Sequence, residues 1–351
     1  MKKILVTGGA GFIGGNFILK QMLNTDNEIL NYDNLTYAGN LNTLKNIQHD
    51  KRYHFIKGDI VNVDLLWKTI SEFMPDFIVN FAAESHVDRS IDGPMDFIKT
   101  NILGTAVLLE SSKKYLSINL KLQKSFKFLH VSTDEVYGSL GNDGHFVEGS
   151  PYDPSSPYSA SKASSDHLVR AWYKTYNVPT LITNCSNNYG PYQFPEKLIP
   201  LMILNCLSEK KLPLYGDGKN IRDWLFVEDH CDAIYSVLKN GDPGDTFNIG
   251  GENEIQNIYI VETICKIMDE LKPRIDGGKY SELIIHVKDR PGHDFRYAID
   301  SSKIKEQLNW QPKESFESGI RKTIKWYLDN EKWWKTIQDN SYNQYRLGAG
   351  N

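Results

Sequence analysis

Short apolar runs alternate with longer amphipathic stretches through the first half of the chain. Ile4-Leu5-Val6 is followed by glycines and then by Phe17-Ile18-Leu19, a pattern that predicts a buried strand, a tight turn and a helix. Further runs at 28–32, 53–56, 77–81, 126–131 and 180–184 are separated by stretches of helix length. Such alternation predicts an α/β fold built on a doubly wound parallel sheet. Past Asn187 the texture changes to segments punctuated by Pro and Gly, among them Tyr189-Gly190-Pro191, Tyr215-Gly216-Asp217-Gly218, Gly250-Gly251 and Arg290-Pro291-Gly292. A first domain over 1–186 and a smaller α/β lobe over 187–333 are therefore expected, with 220–250 returning to the first domain. The tail 334–351, rich in Asn, Gly and Tyr, is expected to be loosely ordered.

Composition removes several classes of function. With 40 basic and 44 acidic residues in 351, the chain offers no broad positive field for nucleic acid or anionic lipid, and no nucleic-acid partner is expected. No apolar run is long enough to span a bilayer, and Met1-Lys2-Lys3 leads straight into the first strand, so no membrane partner is expected either. Cys185, Cys206, Cys231 and Cys265 lie far apart without a CxxC pair, which suggests neither a metal site nor a disulfide framework and fits a reducing cytoplasm.

After the first strand comes Thr7-Gly8-Gly9-Ala10-Gly11-Phe12-Ile13-Gly14, which satisfies the three-glycine dinucleotide spacing. Gly8, Gly11 and Gly14 permit the turn, the close approach of backbone to a pyrophosphate and tight helix packing, while the helix N-terminus at Phe12 and Ile13 faces the phosphates. Asp33 ends the second predicted strand, where a carboxylate hydrogen-bonds both ribose hydroxyls and repels a 2′-phosphate, so NAD is favoured over NADP. This is a Rossmann-type domain on sequence grounds. Asp59 and Ile60, at another strand end, are placed to frame the adenine, although a turn aspartate reads nearly as well.

Ser156-Pro157-Tyr158-Ser159-Ala160-Ser161-Lys162 opens a predicted helix, with Ser156 as cap and Pro157 in the first turn. Tyr158 and Lys162 are then i, i+4 neighbours. A nearby ammonium, together with a nicotinamide's positive ring, stabilises phenolate, so Tyr158 is expected to take a hydroxyl proton as hydride leaves carbon. Beyond the strand at 126–131, Ser132-Thr133-Asp134-Glu135 sets two adjacent carboxylates where a doubly wound fold exposes its ligands.

The stretches GGAGFIG, AAESHVDRS, STDEVYG, YSASK, NNYGPYQFPEKLIP, RDWLFVEDH and DRPGHDFRYAID stand in one order, and in this the chain resembles the extended short-chain dehydrogenase/reductase family over nearly its whole length. Within that family it resembles the enzymes that remove water across C5 and C6 of dTDP-glucose. The resemblance implies Asp134 as the acid for the departing C6 hydroxyl, Glu135 as the base for the C5 proton, and Thr133 as a partner of the C4 oxygen. It implies cofactor contacts at Asn34, Leu35, Thr36, Phe81, Ala82, Ala83, Ser85, Thr100 and Asn188, besides Tyr158 and Lys162. Ser85, Asn187, Lys197 and Leu198 resemble substrate contacts. Pro213, Leu214 and Tyr215 are expected to form an apolar slot suited to thymine, and Arg222, Asn257, Asp289, Arg290 and His293 to hold the diphosphate and nucleoside. His86 and Asp88 read as structural. A homodimer is implied by the resemblance alone.

The stretch between Tyr137 and Tyr158 is shorter than in many relatives, and is expected to cover the site. A 4-epimerase shares the glycine turn, Tyr158 and Lys162 but has no need of Asp134 and Glu135. A silent NAD-binding sensor would not need all four. UDP- and GDP-linked sugars stay open, because no residue rule derives the base.

Overall fold

In a computed structural model of the chain, residues 1–289 and 292–341 are described, with side chains through 338. Six strands succeed one another in the first half: β1 Lys3–Thr7, β2 Glu28–Asp33, β3 Tyr53–Lys57, β4 Phe77–Asn80, β5 Lys127–Thr133 and β6 Thr180–Cys185. Six more follow: β7 Asn187–Tyr189, β8 Leu212–Tyr215, β9 Ile221–Phe226, β10 Thr246–Ile249, β11 Glu254–Gln256 and β12 Ile284–Val287. β10 joins the first six at the edge of a parallel sheet of order β10-β6-β5-β4-β1-β2-β3. The doubly wound α/β sheet expected from the apolar runs is thus present.

β1 shows why these runs fold this way. Ile4 and Val6 point into one layer with Phe17 and Ile18 of the helix Phe12–Asn24, while Leu5 points into the other with Leu66 and Leu108. A strand buried on both faces needs an unbroken apolar run, and each such side chain contributes about 1.5–3 kcal/mol by leaving water. From β1 the chain winds outward through β2 and β3, then returns to β4 on the other side. That reversal opens a crevice beyond the carboxyl ends of β1 and β4, the usual place for a ligand in such a fold.

The second core gathers around β7–β9–β11 and the β8–β12 pair, with Ile199, Met202, Ile264, Phe316 and Tyr327 buried in it. β9 belongs to this smaller sheet, whereas the helix Val227–Asn240 packs on the large one through Ala233, Ile234 and Val237. The expected loose tail is corrected: Glu331–Ser341 is helical, and Trp334 and Ile337 are buried, because the apolar side of this helix closes over the second core and Phe194. Residues 342–351 lie outside the described residues. Among those described, no helix is long and apolar enough to cross a membrane.

Candidate active site

Gly8 leaves β1 at φ +72°, and a Cβ there would stand 2.6 Å from the backbone nitrogen of Ala82, just past β4. At Gly14 a Cβ would meet the Gly8 carbonyl oxygen at 2.4 Å, so the helix Phe12–Asn24 starts in direct contact with the turn. Its N-cap is Gly11, which has no side chain to cap the free N–H groups, and no acidic residue stands in the first turn. The positive end of the helix is left for an anion. Beside it, Asp33 accepts from Ala10 N at 2.9 Å and from Leu35 N at 2.7 Å. These two bonds fix the carboxylate and leave acceptor capacity for diol hydroxyls. Leu35, expected as a cofactor contact, does not line the cavity; its backbone, at φ +53°, serves to hold Asp33.

One cavity of about 300 Å3 runs from this turn to the end of β5. Gly8, Gly11, Phe12, Ile13, Gly14, Asp33, Asn34, Thr36, Asp59, Ile60, Phe81, Ala82, Ala83, Ser85 and Thr100 line one end. Thr133, Asp134, Glu135, Tyr158 and Lys162 line the other, with Asn187, Asn188 and Lys197 between the lobes. Lys197 Nζ donates to the Ser85 carbonyl at 3.0 Å, bridging the two sides. A glycine cradle, a fixed acidic acceptor and an open helix end, continuous with the reacting groups, suit a dinucleotide whose nicotinamide reaches Tyr158.

The helix Pro157–Tyr176 carries Tyr158 and Lys162. Its start is fixed by a reciprocal capping box between Ser156 and Ser159 and by Pro157 at the first position. Lys162 is fully buried and donates to the Val131 carbonyl at 2.8 Å; burial lowers its pKa to about 8. Tyr158 behaves differently from the expectation that Lys162 readies it as a phenolate. Burial, then the charge of Glu135, raises its pKa well above the ordinary phenol value, opposed by a hydrogen bond with Thr133. The protein alone therefore keeps Tyr158 protonated, and the positive ring of a bound nicotinamide is the remaining term that favours ionisation.

Asp134 and Glu135 sit in a short 3-10 turn begun by Thr133, whose Oγ1 accepts from Glu135 N at 3.3 Å. Asp134 is buried, and burial followed by the charges of Glu135 and Asp223 raises its pKa well above the ordinary carboxylate value. Its Oδ1 takes a bond from Thr133 Oγ1 at 3.3 Å, while Oδ2 is buried without a partner among the described residues. Asp134 is thus a carboxyl whose surroundings favour its protonated form, next to the half-buried Glu135: two adjacent carboxyls in unlike environments.

On the substrate side the structure rearranges several expectations. β8 alternates, so Leu212 and Leu214 turn into the second core while Pro213 and Tyr215 are only partly buried. Leu214 is therefore not the wall of an apolar slot. Tyr215 donates to Asp88 Oδ2 at 3.2 Å and packs edge-on to His293, which meets Asp289 Oδ1 at 2.6 Å. Tyr215, Asp289 and His293 are brought together, outside the cavity lining. Arg222 is buried, donates to the carbonyls of Ile221, Asp294 and Phe295, and lies over the Tyr297 ring. Asn257 begins the helix Asn257–Leu271, and Leu198 the helix Leu198–Leu207, and neither lines the cavity; Arg290 lies outside the described residues. His86 is the N-cap residue of the helix Val87–Asp92.

Residues 138–156, expected to cover the site, do not line the cavity. They are fastened beside it instead: Leu140 pairs with Arg296, Phe146 with Ile299, and Ser155 Oγ donates to Asp294 at 2.5 Å.

Sequence reasoning missed Tyr37, Glu84, Cys185, Gln193, Phe194 and Glu196 in the lining. Arg89 Nε reaches Glu196 at 2.9 Å and its guanidinium covers the Tyr37 ring at 3.8 Å, joining the helix Val87–Asp92 to two loops at the cavity. Glu196 stands within a motif quoted above, and Tyr37 directly follows the expected contact at Thr36; their pairing across the fold left no local signal.

The model of a family described as GDP-mannose 4,6 dehydratase matches residues 5–323. The chain is 55% identical, over the full length of both, to a dTDP-glucose 4,6-dehydratase of Neisseria meningitidis serogroup B. A crystal structure of dTDP-glucose 4,6-dehydratase from Bacillus anthracis in complex with NAD is 49% identical, with a TM-score of 0.86 over 96% of this chain and 100% of that one. The NAD-bound dTDP-glucose 4,6-dehydratase of Streptomyces venezuelae is 43% identical, with a TM-score of 0.87 over 95% and 99%.

Proposed function

From a chain that belongs to the sugar-nucleotide 4,6-dehydratase family, we propose a hydro-lyase that converts dTDP-glucose to dTDP-4-keto-6-deoxyglucose. The observation that carries the reading is the pair of unlike carboxyls, Asp134 and Glu135, facing the same cavity as Tyr158 and Lys162. NAD, when bound, supplies the chemistry that takes hydride from C4 and returns it at C6. Gly8, Gly11, Gly14 and Asp33 would hold its pyrophosphate and adenosine ribose, and Lys162 its nicotinamide ribose.

Each side chain then has its own task. Tyr158 takes the proton of the C4 hydroxyl, with Thr133 bonded to the same oxygen. The ketone at C4 acidifies C5, and Glu135 removes that proton and returns it to C5 as hydride reaches C6. Asp134, kept protonated by burial, gives its proton to the departing C6 hydroxyl. A 4-epimerase would need no such pair.

The four cysteines are all free and buried, which supports a reducing, cytoplasmic setting. Met95, Ile98 and Leu103 are exposed along the helical stretch from 94 to 104, an apolar face that supports a homodimer, to be measured by sedimentation. The reading itself is tested by incubating purified protein with dTDP-, UDP- and GDP-glucose in parallel. A product with the alkaline absorbance of a 4-keto-6-deoxy sugar, formed from the dTDP substrate in preference to the others, is expected. Recovery of dTDP-galactose would establish epimerisation, and preference for another base would reassign the substrate.

A further inference from the structure

Behind the Tyr158–Lys162 pair, on the side away from the cavity, lies a buried polar chain that the proposed mechanism does not use. His130 on β5 and Asp166 on the helix Pro157–Tyr176 have fully buried side chains. Asp166 follows Lys162 by four residues, so both project from one face of the helix. His130 stands between them: its Nε2 is 3.3 Å from Lys162 Nζ and 3.6 Å from Asp166 Oδ1. Its Nδ1 meets Asn80 Nδ2 at 3.0 Å, and Asn80 Oδ1 accepts from Thr7 at 2.7 Å. A ring nitrogen that accepts from Asn80 leaves the imidazole neutral, in accord with the downward shift that burial and then the charge of Lys162 impose on His130. Burial pushes the Asp166 carboxyl above its ordinary range, and the groups around it oppose this by favouring the carboxylate: its Oδ2 accepts from Ser132 at 2.9 Å, Tyr152 at 2.8 Å and Asn184 at 3.2 Å, and Arg170 donates to the same Tyr152 hydroxyl at 2.8 Å.

A buried ammonium without a countercharge is expensive, and the carbonyl of Val131 only partly compensates Lys162. We propose that Asp166 is a positioning residue whose carboxylate, acting across the neutral ring of His130, keeps Lys162 charged and directed at the cavity. The proposal rests on the role given to Lys162 above. The groups facing this pair from the surrounding elements are His130 on β5, Cys185 on β6, Tyr152 and Tyr137 from the flanking segments, and Tyr158 and Arg170 on the same helix. Against burial, Asp166 is the group that most favours the charged lysine, ahead of Cys185.

The test compares NAD-loaded wild type with Asp166→Asn, which keeps the size and acceptor oxygen but removes the charge. Turnover on dTDP-glucose is followed across pH, alone and in a Lys162→Met background. Loss of the Lys162 charge, whose pKa burial lowers to about 8, should set an alkaline limb in the wild-type profile. Asp166→Asn should move that limb to lower pH by about one unit, with KM little changed, because it weakens a charge–charge term without touching substrate. In the Lys162→Met background the same substitution should have no further effect. An unmoved limb, or losses that multiply in the double variant, would overturn the proposal. If Lys162→Met by itself left turnover intact, the role of Lys162 would fail first, and the two failures are distinguishable. Should Asp166→Asn not fold, Asp166→Glu decides: the retained charge should keep the limb in place, and a shifted limb refutes the idea.

Discussion

Arg89 and Glu196 form an ion pair at 2.9 Å in which the carboxylate side chain is 2% exposed and the guanidinium is 28% exposed. Removing the guanidinium strands a buried charge. Arg89→Met is therefore expected to cost about 2 kcal/mol, below the range for fully buried pairs because Arg89 is partly solvated. The same pair ties down Tyr37 beside the cofactor end of the cavity. NAD retained through gel filtration should fall along with the melting temperature, and a variant that melted and retained NAD as the wild type does would dissociate the pair from both roles.

The two adjacent carboxyls should separate when changed singly. Glu135→Gln leaves Tyr158, Thr133 and Lys162 in place, so oxidation at C4 continues while elimination stops. The absorbance of reduced nicotinamide should build up on the enzyme, with turnover reduced about 10²–10⁴-fold. Unchanged turnover would remove Glu135 from the role of base. Asp134→Asn should be impaired to a similar degree at the departure of the C6 hydroxyl, visible as exchange of the C5 proton with solvent without product.

Asp134 also predicts a stability effect that runs opposite to activity. Its folded-state pKa is raised well above the ordinary 3.8, so above that pH the unfolded chain releases a proton that the folded protein retains or gives up at a cost. Stability contributed by this group is full below pH 3.8 and declines as pH rises toward the folded value. Asp134→Asn should therefore melt higher than the wild type at neutral pH, with the difference shrinking as pH falls toward that limit. Melting curves across pH check this, and a difference independent of pH would refute it.

At Gly8 a methyl group has no room. The residue is in the left-handed region and the added Cβ would meet the backbone at Ala82. Gly8→Ala is expected to cost about 1–3 kcal/mol of backbone strain and to shift the loop that follows β4. Isothermal titration with NAD should show affinity lost more than tenfold; affinity kept in a folded variant would mean the turn does not seat the pyrophosphate.

Strands carried by apolar runs were legible because both faces of the large sheet are covered, so Ile4, Leu5 and Val6 are all buried. The glycine turn, Asp33 and the Tyr158–Lys162 spacing were legible for a related reason: each is local, fixed by a few neighbouring residues. The apolar triplet Pro213-Leu214-Tyr215 suggests one surface, but the two-residue period of the strand sends Leu214 to the core. Arg222 reads as a ligand contact, yet besides the neighbouring Ile221 carbonyl its donors meet the carbonyls of Asp294 and Phe295, more than 70 positions away, a relation no local pattern contains. The same holds for Asp166, which is four residues from Lys162 but meets it through a histidine on another element.

The way β7, β9 and β10 alternate between sheets has a mechanical consequence. The polypeptide is laced between the two cores: out at Ser186, back with the helix Val227–Asn240, out again from β10 to β11, back with Ser302–Leu308 against β10, and out to Phe316–Asp329. A joint stitched repeatedly along its length does not swing like one held by a single thread. Large opening of the lobes would strain every crossing together, so ligands should enter by the yielding of short loops such as those carrying Tyr37 and Glu196. For the same reason, neither lobe is expected to fold when expressed without the other.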